Sequence, residues 1–142
     1  MRTSYDGSCH CGAIGFYYQT DISPDAWSVR ACQCSFCRAH DALSTSDSEG
    51  HIEFASSKPG LLQRYRFGLK TADFLLCGRC GVYIGATIET NNGAFGIINV
   101  HALRETPANL AGLAPISYDN EEVSGRVSRR EERWTPVESV PW

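Results

Sequence analysis

Apolar residues recur in short alternating runs bounded by turn residues, a period-two pattern that predicts a chain built mostly of strands. Residues 13–18 have strand composition with aromatic side chains on both faces, and residues 27–31 form a second short run. Residues 51–54 and 61–67 read as strands separated by the turn Ser57-Lys58-Pro59-Gly60. Phe74, Leu75 and Leu76 open a further run, after which Val82, Ile84, Ala86 and Ile88 alternate and predict one apolar face. Asn92-Gly93 is a strong hairpin signal leading into residues 95–100. Helix is scarce: residues 35–40 suit one or two turns, and the charge-rich residues 120–133 predict a second helix despite Gly125. From Trp134 onward the tail reads as extended, with Trp134 and Trp142 expected to pack. The expected fold class is mainly β, in small antiparallel sheets with little helix.

Composition narrows the function classes. The 142 residues suit one domain, and 42% hydrophobic with 20% charged residues describes an ordinary soluble globular chain. Net charge is -3 without a basic tract, which argues against a nucleic-acid partner. No apolar run approaches the ~20 residues needed to span a membrane. Residues 1–6 lack the apolar segment of a signal peptide, so the expected location is cytoplasmic, where thiols stay reduced.

That location matters because seven cysteines fall in three clusters: Cys9 and Cys11; Cys32, Cys34 and Cys37; Cys77 and Cys80. An odd count, a reducing compartment and strained Cys-x-Cys rings all speak against disulfides. Thiolate clusters without redox partners favour zinc, with a four-cysteine iron–sulfur cluster as a weaker alternative. The economical division is one closed four-thiolate site and one three-thiolate site with a vacancy. Cys9 and Cys11 pair with the Cys77-Gly78-Arg79-Cys80-Gly81 knuckle, whose glycines let backbone N–H groups turn toward sulfur. Cys32, Cys34 and Cys37 then hold three corners of a second tetrahedron.

Two readings of that second site stay open. His40 could close it and make it structural, with His10, His51 and His101 as remoter candidates. Left open, a zinc ion with three thiolates carries a net negative charge and acidifies water weakly. It suits an incoming thiol held as thiolate, whose natural electrophile is a carbonyl carbon. Arg30, Arg38, Arg64 and Arg66 are cations near enough in sequence to balance such a charge, and His40 and Asp41 are the nearest titratable groups. A deaminase reading of His51-Ile52-Glu53 with Cys77 and Cys80 fails because Leu76 replaces the motif's proline and five cysteines are orphaned.

Three blocks carry a family resemblance: residues 7–14 around Cys9 and Cys11, residues 32–38 around Cys32, Cys34 and Cys37, and residues 74–81 around Cys77 and Cys80. In this order they resemble the glutathione-dependent formaldehyde-activating enzyme family, which also contains centromere protein V-like proteins. The resemblance implies a zinc-binding β-tent and two zinc ions. Cys9, Cys11, Cys77 and Cys80 would hold a structural zinc, and Cys32, Cys34 and Cys37 a catalytic one; Arg38 and His40 are substrate-binding candidates by their nearness in sequence alone. The implied reaction joins formaldehyde to glutathione as S-hydroxymethylglutathione, a carbon–sulfur lyase chemistry with a small thiol and an aldehyde as partners. Residues 39–44 depart from the family's small, glycine-containing segment, which leaves the thiol's identity open. The chain is then a single zinc-binding domain over 1–142, with a family core at 5–105 and a C-terminal extension, 106–142, packed on it. The alternative is a non-catalytic zinc module that binds a protein partner.

Overall fold

A computed structural model of the chain describes residues 2–110 and 114–141. Strands dominate it: β1 Thr3–Ser8, β2 Ile14–Thr20, β3 Arg30–Cys32, β4 Ser44–Thr45, β5 His51–Ser56, β6 Leu62–Tyr65, β7 Asp73–Cys77, β8 Tyr83–Thr90, β9 Gly93–Asn99, β10 Ala114–Ile116 and β11 Thr135–Ser139. The helices among the described residues are α1, Ser35–His40, and α2, Val123–Arg133, with short 3₁₀ turns elsewhere. The mainly β class read from the alternation is what forms.

The strands join in the order β1-β2-β5-β11-β9-β4-β3-β10, while β6, β7 and β8 pair in sequence and attach through β9. Most pairings are antiparallel, but β10 on β3 and β11 on β5 are parallel. Both parallel partners come from the C-terminal segment. Parallel neighbours require long crossovers, so no local turn signal could announce them. The C-terminal segment also does more than pack on the core, because β11 lies between β5 and β9 and pairs with both. Trp134 at its start is buried, and Trp142 lies outside the described residues.

β2 shows the expected alternation: Ile14, Phe16, Tyr18 and Thr20 are buried while Tyr17 is exposed. β8 does not. Residues 83–88 are buried on both faces, as a central strand between two apolar layers must be. Opposite β7 the register slips, with Leu75 facing Gly85 and Leu76 facing Tyr83, so Ile84 is the extra residue of a β-bulge. The bulge reassigns side chains: Val82 and Ile84 pack in one cluster with Phe16 and Phe54, whereas Tyr83, Ala86 and Ile88 join Cys37, Phe74 and Trp134 in the other. The single apolar face expected from Val82 to Ile88 is therefore split. The following hairpin forms as expected, but its tip is Asn91-Asn92, and Gly93 opens β9 opposite Thr90. Gly93 holds φ 122°, a conformation that only glycine adopts easily.

Insertion of β11 buries polar groups that must find partners. Thr135 is fully buried, and its Oγ1 accepts a hydrogen bond from the Asp47 backbone N–H at 2.8 Å. Thr135→Val keeps the shape and removes the acceptor, leaving a buried N–H unsatisfied at a cost of about 1–3 kcal/mol. Urea denaturation should report that loss with an unchanged m-value.

Candidate metal centres and an adjoining cavity

Two strand-to-strand turns bring the outer cysteine pairs together. In the first, between β1 and β2, Cys9 N–H donates to the Ile14 carbonyl at 3.0 Å; in the second, between β7 and β8, Cys77 N–H donates to the Val82 carbonyl at 3.1 Å. Each turn ends on a glycine with positive φ, Gly12 at 83° and Gly81 at 81°, directly after its second cysteine. The two loops are thus near copies of one knuckle.

The sulfurs of Cys9, Cys11, Cys77 and Cys80 all lie within 4.8 Å of one another. Cys9 and Cys11 sulfurs are 3.7 Å apart, and Cys11 and Cys77 sulfurs 3.6 Å. Four thiolates around zinc at about 2.3 Å would stand about 3.8 Å from each other in a tetrahedron. A disulfide needs about 2.05 Å, so these spacings fit a metal and exclude a bond. Backbone N–H groups point at the sulfurs: Ile14 at Cys9 at 3.3 Å, and Arg79 and Cys80 at Cys77 at 3.3 and 3.4 Å. Burial acts to raise the Cys80 thiol, but N–H groups of Cys11 and Val82 outweigh it and bring it down to about 6. Donors aimed at sulfur favour the thiolate, the form a metal takes.

The middle cluster is built differently. β3 ends at Cys32, Cys34 caps the N-terminus of α1, and Cys37 is buried inside the helix. The Cys34 sulfur accepts the Cys37 N–H at 3.4 Å, the capping role normally filled by a side-chain oxygen. Hydrogen bonds from the Cys32 and Cys37 thiols, helped by backbone N–H groups, hold Cys34 far below the usual thiol range. The same contacts push Cys37 far up. Three sulfurs within 4.8 Å cannot all ionise unless a cation joins them. No fourth His, Cys, Asp or Glu among the described residues joins that set.

The three cysteines instead open on a cavity of about 530 Å³. Its walls come from α1, from Phe74 on β7 and Tyr83 on β8, from the loop at Phe67, and from α2 with the turn before it. Tyr83 is buried and its hydroxyl has no hydrogen-bond partner. Burial, followed by the neighbouring Cys37, Cys32 and Cys34 sulfurs, raises that hydroxyl well above its ordinary range. It remains a neutral O–H donor.

The residues singled out from sequence scatter around this site. Arg30 and Arg38 line the cavity, with Arg38 exposed at its edge. Arg66 pairs with Asp73 at 2.6 Å outside it, and Arg64 lies on β6, also outside the lining. His40 is exposed, and its ring packs against Phe36 with centroids 4.4 Å apart and planes tilted 35° rather than joining the three sulfurs. Asp41 caps α1 in a left-handed conformation, φ 49°. His51 pairs with Glu138 at 3.0 Å, while His10 and His101 are exposed. Tyr83 and the arginines of α2 escaped the sequence reading. Only the repeated arginines of residues 126–130 offered a signal, and they resembled a solvated helix face.

Comparison with known proteins agrees with this architecture. The family model described as "Glutathione-dependent formaldehyde-activating enzyme" matches residues 4–116. A crystal structure of a Rhodobacter sphaeroides protein is similar at TM-score 0.59 and 28% identity, over 78% of this chain and 97% of that one.

Cys9→Ala or Cys80→Ala should yield unfolded or insoluble protein. A structural zinc site contributes about 10–16 kcal/mol in finger peptides, as much as the stability of many domains. Circular dichroism and metal stoichiometry of the soluble fraction check this; a folded variant lacking one metal would contradict it.

Proposed function

Because the chain belongs to the glutathione-dependent formaldehyde-activating enzyme family, we propose that it is a zinc-dependent carbon–sulfur lyase joining a small thiol to formaldehyde. In this reading Cys9, Cys11, Cys77 and Cys80 hold a structural zinc, and Cys32, Cys34 and Cys37 a catalytic one. The carrying observation is a set of three cysteine sulfurs, without a fourth protein ligand among the described residues, that lines a cavity of about 530 Å³. A metal ion held there supplies an open coordination position suited to a fourth, soft sulfur ligand.

The remaining chemistry belongs to the thiol, the aldehyde and the cavity wall. The substrate sulfur, having lost its proton, forms a bond to the formaldehyde carbon. The carbonyl π pair moves onto oxygen, which takes up one proton, so thiol and aldehyde combine with no other product. Tyr83 is the residue suited to that oxygen: its buried O–H has no partner and stays protonated beside the thiolates. It donates a hydrogen bond as negative charge develops there, in a site whose apolar walls strengthen the interaction. Phe74 and Phe67 line the same space and limit water around the reacting atoms. Arg38, exposed at the cavity edge, suits an anionic part of an entering thiol, and His40 stands outside this lining, packed against Phe36. The reading fits a cytoplasmic protein, where millimolar thiols are available.

Two variants test this reading. Cys34→Ser should retain the fold and lose thiol–aldehyde chemistry, as followed by NMR exchange between formaldehyde and thiol adduct above the spontaneous background. Tyr83→Phe should slow turnover by roughly a hundredfold, while its thermal stability stays level or rises because an unpartnered hydroxyl is removed. A wild-type protein that accelerates exchange with no thiol would sink the proposal. A marked stability loss in Tyr83→Phe would mean the hydroxyl serves the fold instead.

A further inference from the structure

α2 turns Arg126, Arg129 and Arg130 toward the cavity. Arg130 is only 8% exposed, whereas Val123 on the same helix is 48% exposed. Arg126 and Arg130 lie four residues apart and so share one face, and together with Arg129 they line the three-cysteine cavity. An ordinary core-facing helix places aliphatic residues there.

The three arginines are not equivalent. Glu121 pairs with Arg129 at 2.6 Å and with Arg126 at 3.4 Å. Arg129 also stacks on Tyr118 at 3.5 Å, and Arg126 donates to the Tyr118 carbonyl at 2.8 Å. Arg130 has no carboxylate at ion-pair distance among the described residues. Its Nη1 donates to Thr71 Oγ1 at 2.8 Å, and its guanidinium lies 4.7 Å from the Trp134 ring centre. Its Nε is buried without a partner. Burial, then Arg129 and Arg126, lower its pKa to about 10, so it is charged at neutral pH. A buried, charged and incompletely bonded guanidinium is costly unless an anion meets it.

The cavity's balance points the same way. Five arginines line it, Arg30, Arg38, Arg126, Arg129 and Arg130, against Asp119 and Glu121. Glu121 is already committed to two of them. Three thiolates facing a divalent cation add back only one negative charge.

We infer that Arg130 is the specificity-determining residue of this cavity, its guanidinium holding a carboxylate of the thiol substrate while the thiol sulfur faces Cys32, Cys34 and Cys37. The inference rests on the open three-thiolate reading above. The family match ends at residue 116, so this anchor comes from a part of the chain that the match does not cover. A guanidinium suits the role because its planar donors match a carboxylate in direction as well as charge.

The test uses the full chain loaded with cobalt(II), whose thiolate absorption reports sulfur binding, and zinc-loaded protein for calorimetry. The probes are 3-mercaptopropionate and the neutral 2-mercaptoethanol. Wild-type protein should prefer 3-mercaptopropionate by about tenfold. Arg130→Met should cut that preference to about twofold or less, the remainder left to Arg38 at the cavity edge, while holding 2-mercaptoethanol affinity within about twofold, and Arg130→Lys should keep more of it. A preference unchanged in Arg130→Met, or equal weakening of both thiols, overturns the anchor. So does equal binding of the two probes by wild-type protein, which leaves the open site intact. If neither thiol alters the cobalt spectrum, the open-site reading fails and the anchor falls with it. Should Arg130→Met misfold, acetate competition in wild-type protein decides. Acetate must weaken 3-mercaptopropionate and spare 2-mercaptoethanol; competition against both, or neither, overturns the proposal.

Discussion

Backbone hydrogen bonding along both edges of β11 is the constraint on which the architecture turns. Among the described strands β11 alone bridges β5 and β9, so the β1-β2-β5 unit meets the remaining strands through β11. Its buried polar groups are met by specific partners, as at Thr135 and Asp47, and its register admits no slip without losing them. The effect reaches the cavity. Trp134 N–H closes the end of α2 on the Arg130 carbonyl at 2.8 Å, and the next residue enters the strand. The ladder that joins the sheet therefore also fixes the helix that walls the three-cysteine site.

The cysteine clusters share their donor atoms but differ in what surrounds them. Cys9, Cys11, Cys77 and Cys80 come from two matching knuckles at strand ends, and four sulfurs satisfy a tetrahedral ion completely. Such a site crosslinks the start of the chain to its middle. Cys32, Cys34 and Cys37 come from one strand end and the first turn of a short helix. One short segment supplies three sulfurs, and they line a cavity without a fourth protein sulfur among the described residues. Under the proposed function, stability and reactivity would be separated between two sites of similar chemistry. Around the second, Tyr83 and Arg130 keep polar hydrogens buried without protein acceptors, an arrangement that favours folding less than it favours a ligand.

Much of this was legible in the sequence because it depends on neighbours along the chain. Cys-x-Cys, Cys-x-Cys-x-x-Cys and Cys-x-x-Cys bring sulfurs close whatever the rest of the fold does. Alternation in β2 and the Asn-Gly hairpin signal are likewise local, although pairing moved the tip by one residue, to Asn91-Asn92. Tyr83 was illegible for a specific reason. The bulge at Ile84 inverts the facing of β8, and a bulge is a property of the paired strand, invisible to a periodicity count. Arg130 was illegible for another. Arginines spaced along a helix look like a solvated face until the helix is docked.

The sequence by itself determined the strand-rich class, the grouping of seven cysteines and the division into a four-sulfur and a three-sulfur site. The grouping follows from covalent spacing and the division from thiolate chemistry, while the meeting of Cys9 and Cys11 with Cys77 and Cys80 is completed by the fold. Only the tertiary structure decided which way α2 faces, where β11 inserts and which hydroxyl and guanidinium stand at the three-cysteine cavity. Each depends on pairing between segments far apart in the chain. At such separations it is the ladder hydrogen bonds and the exclusion of water that choose among arrangements equally compatible with the local pattern.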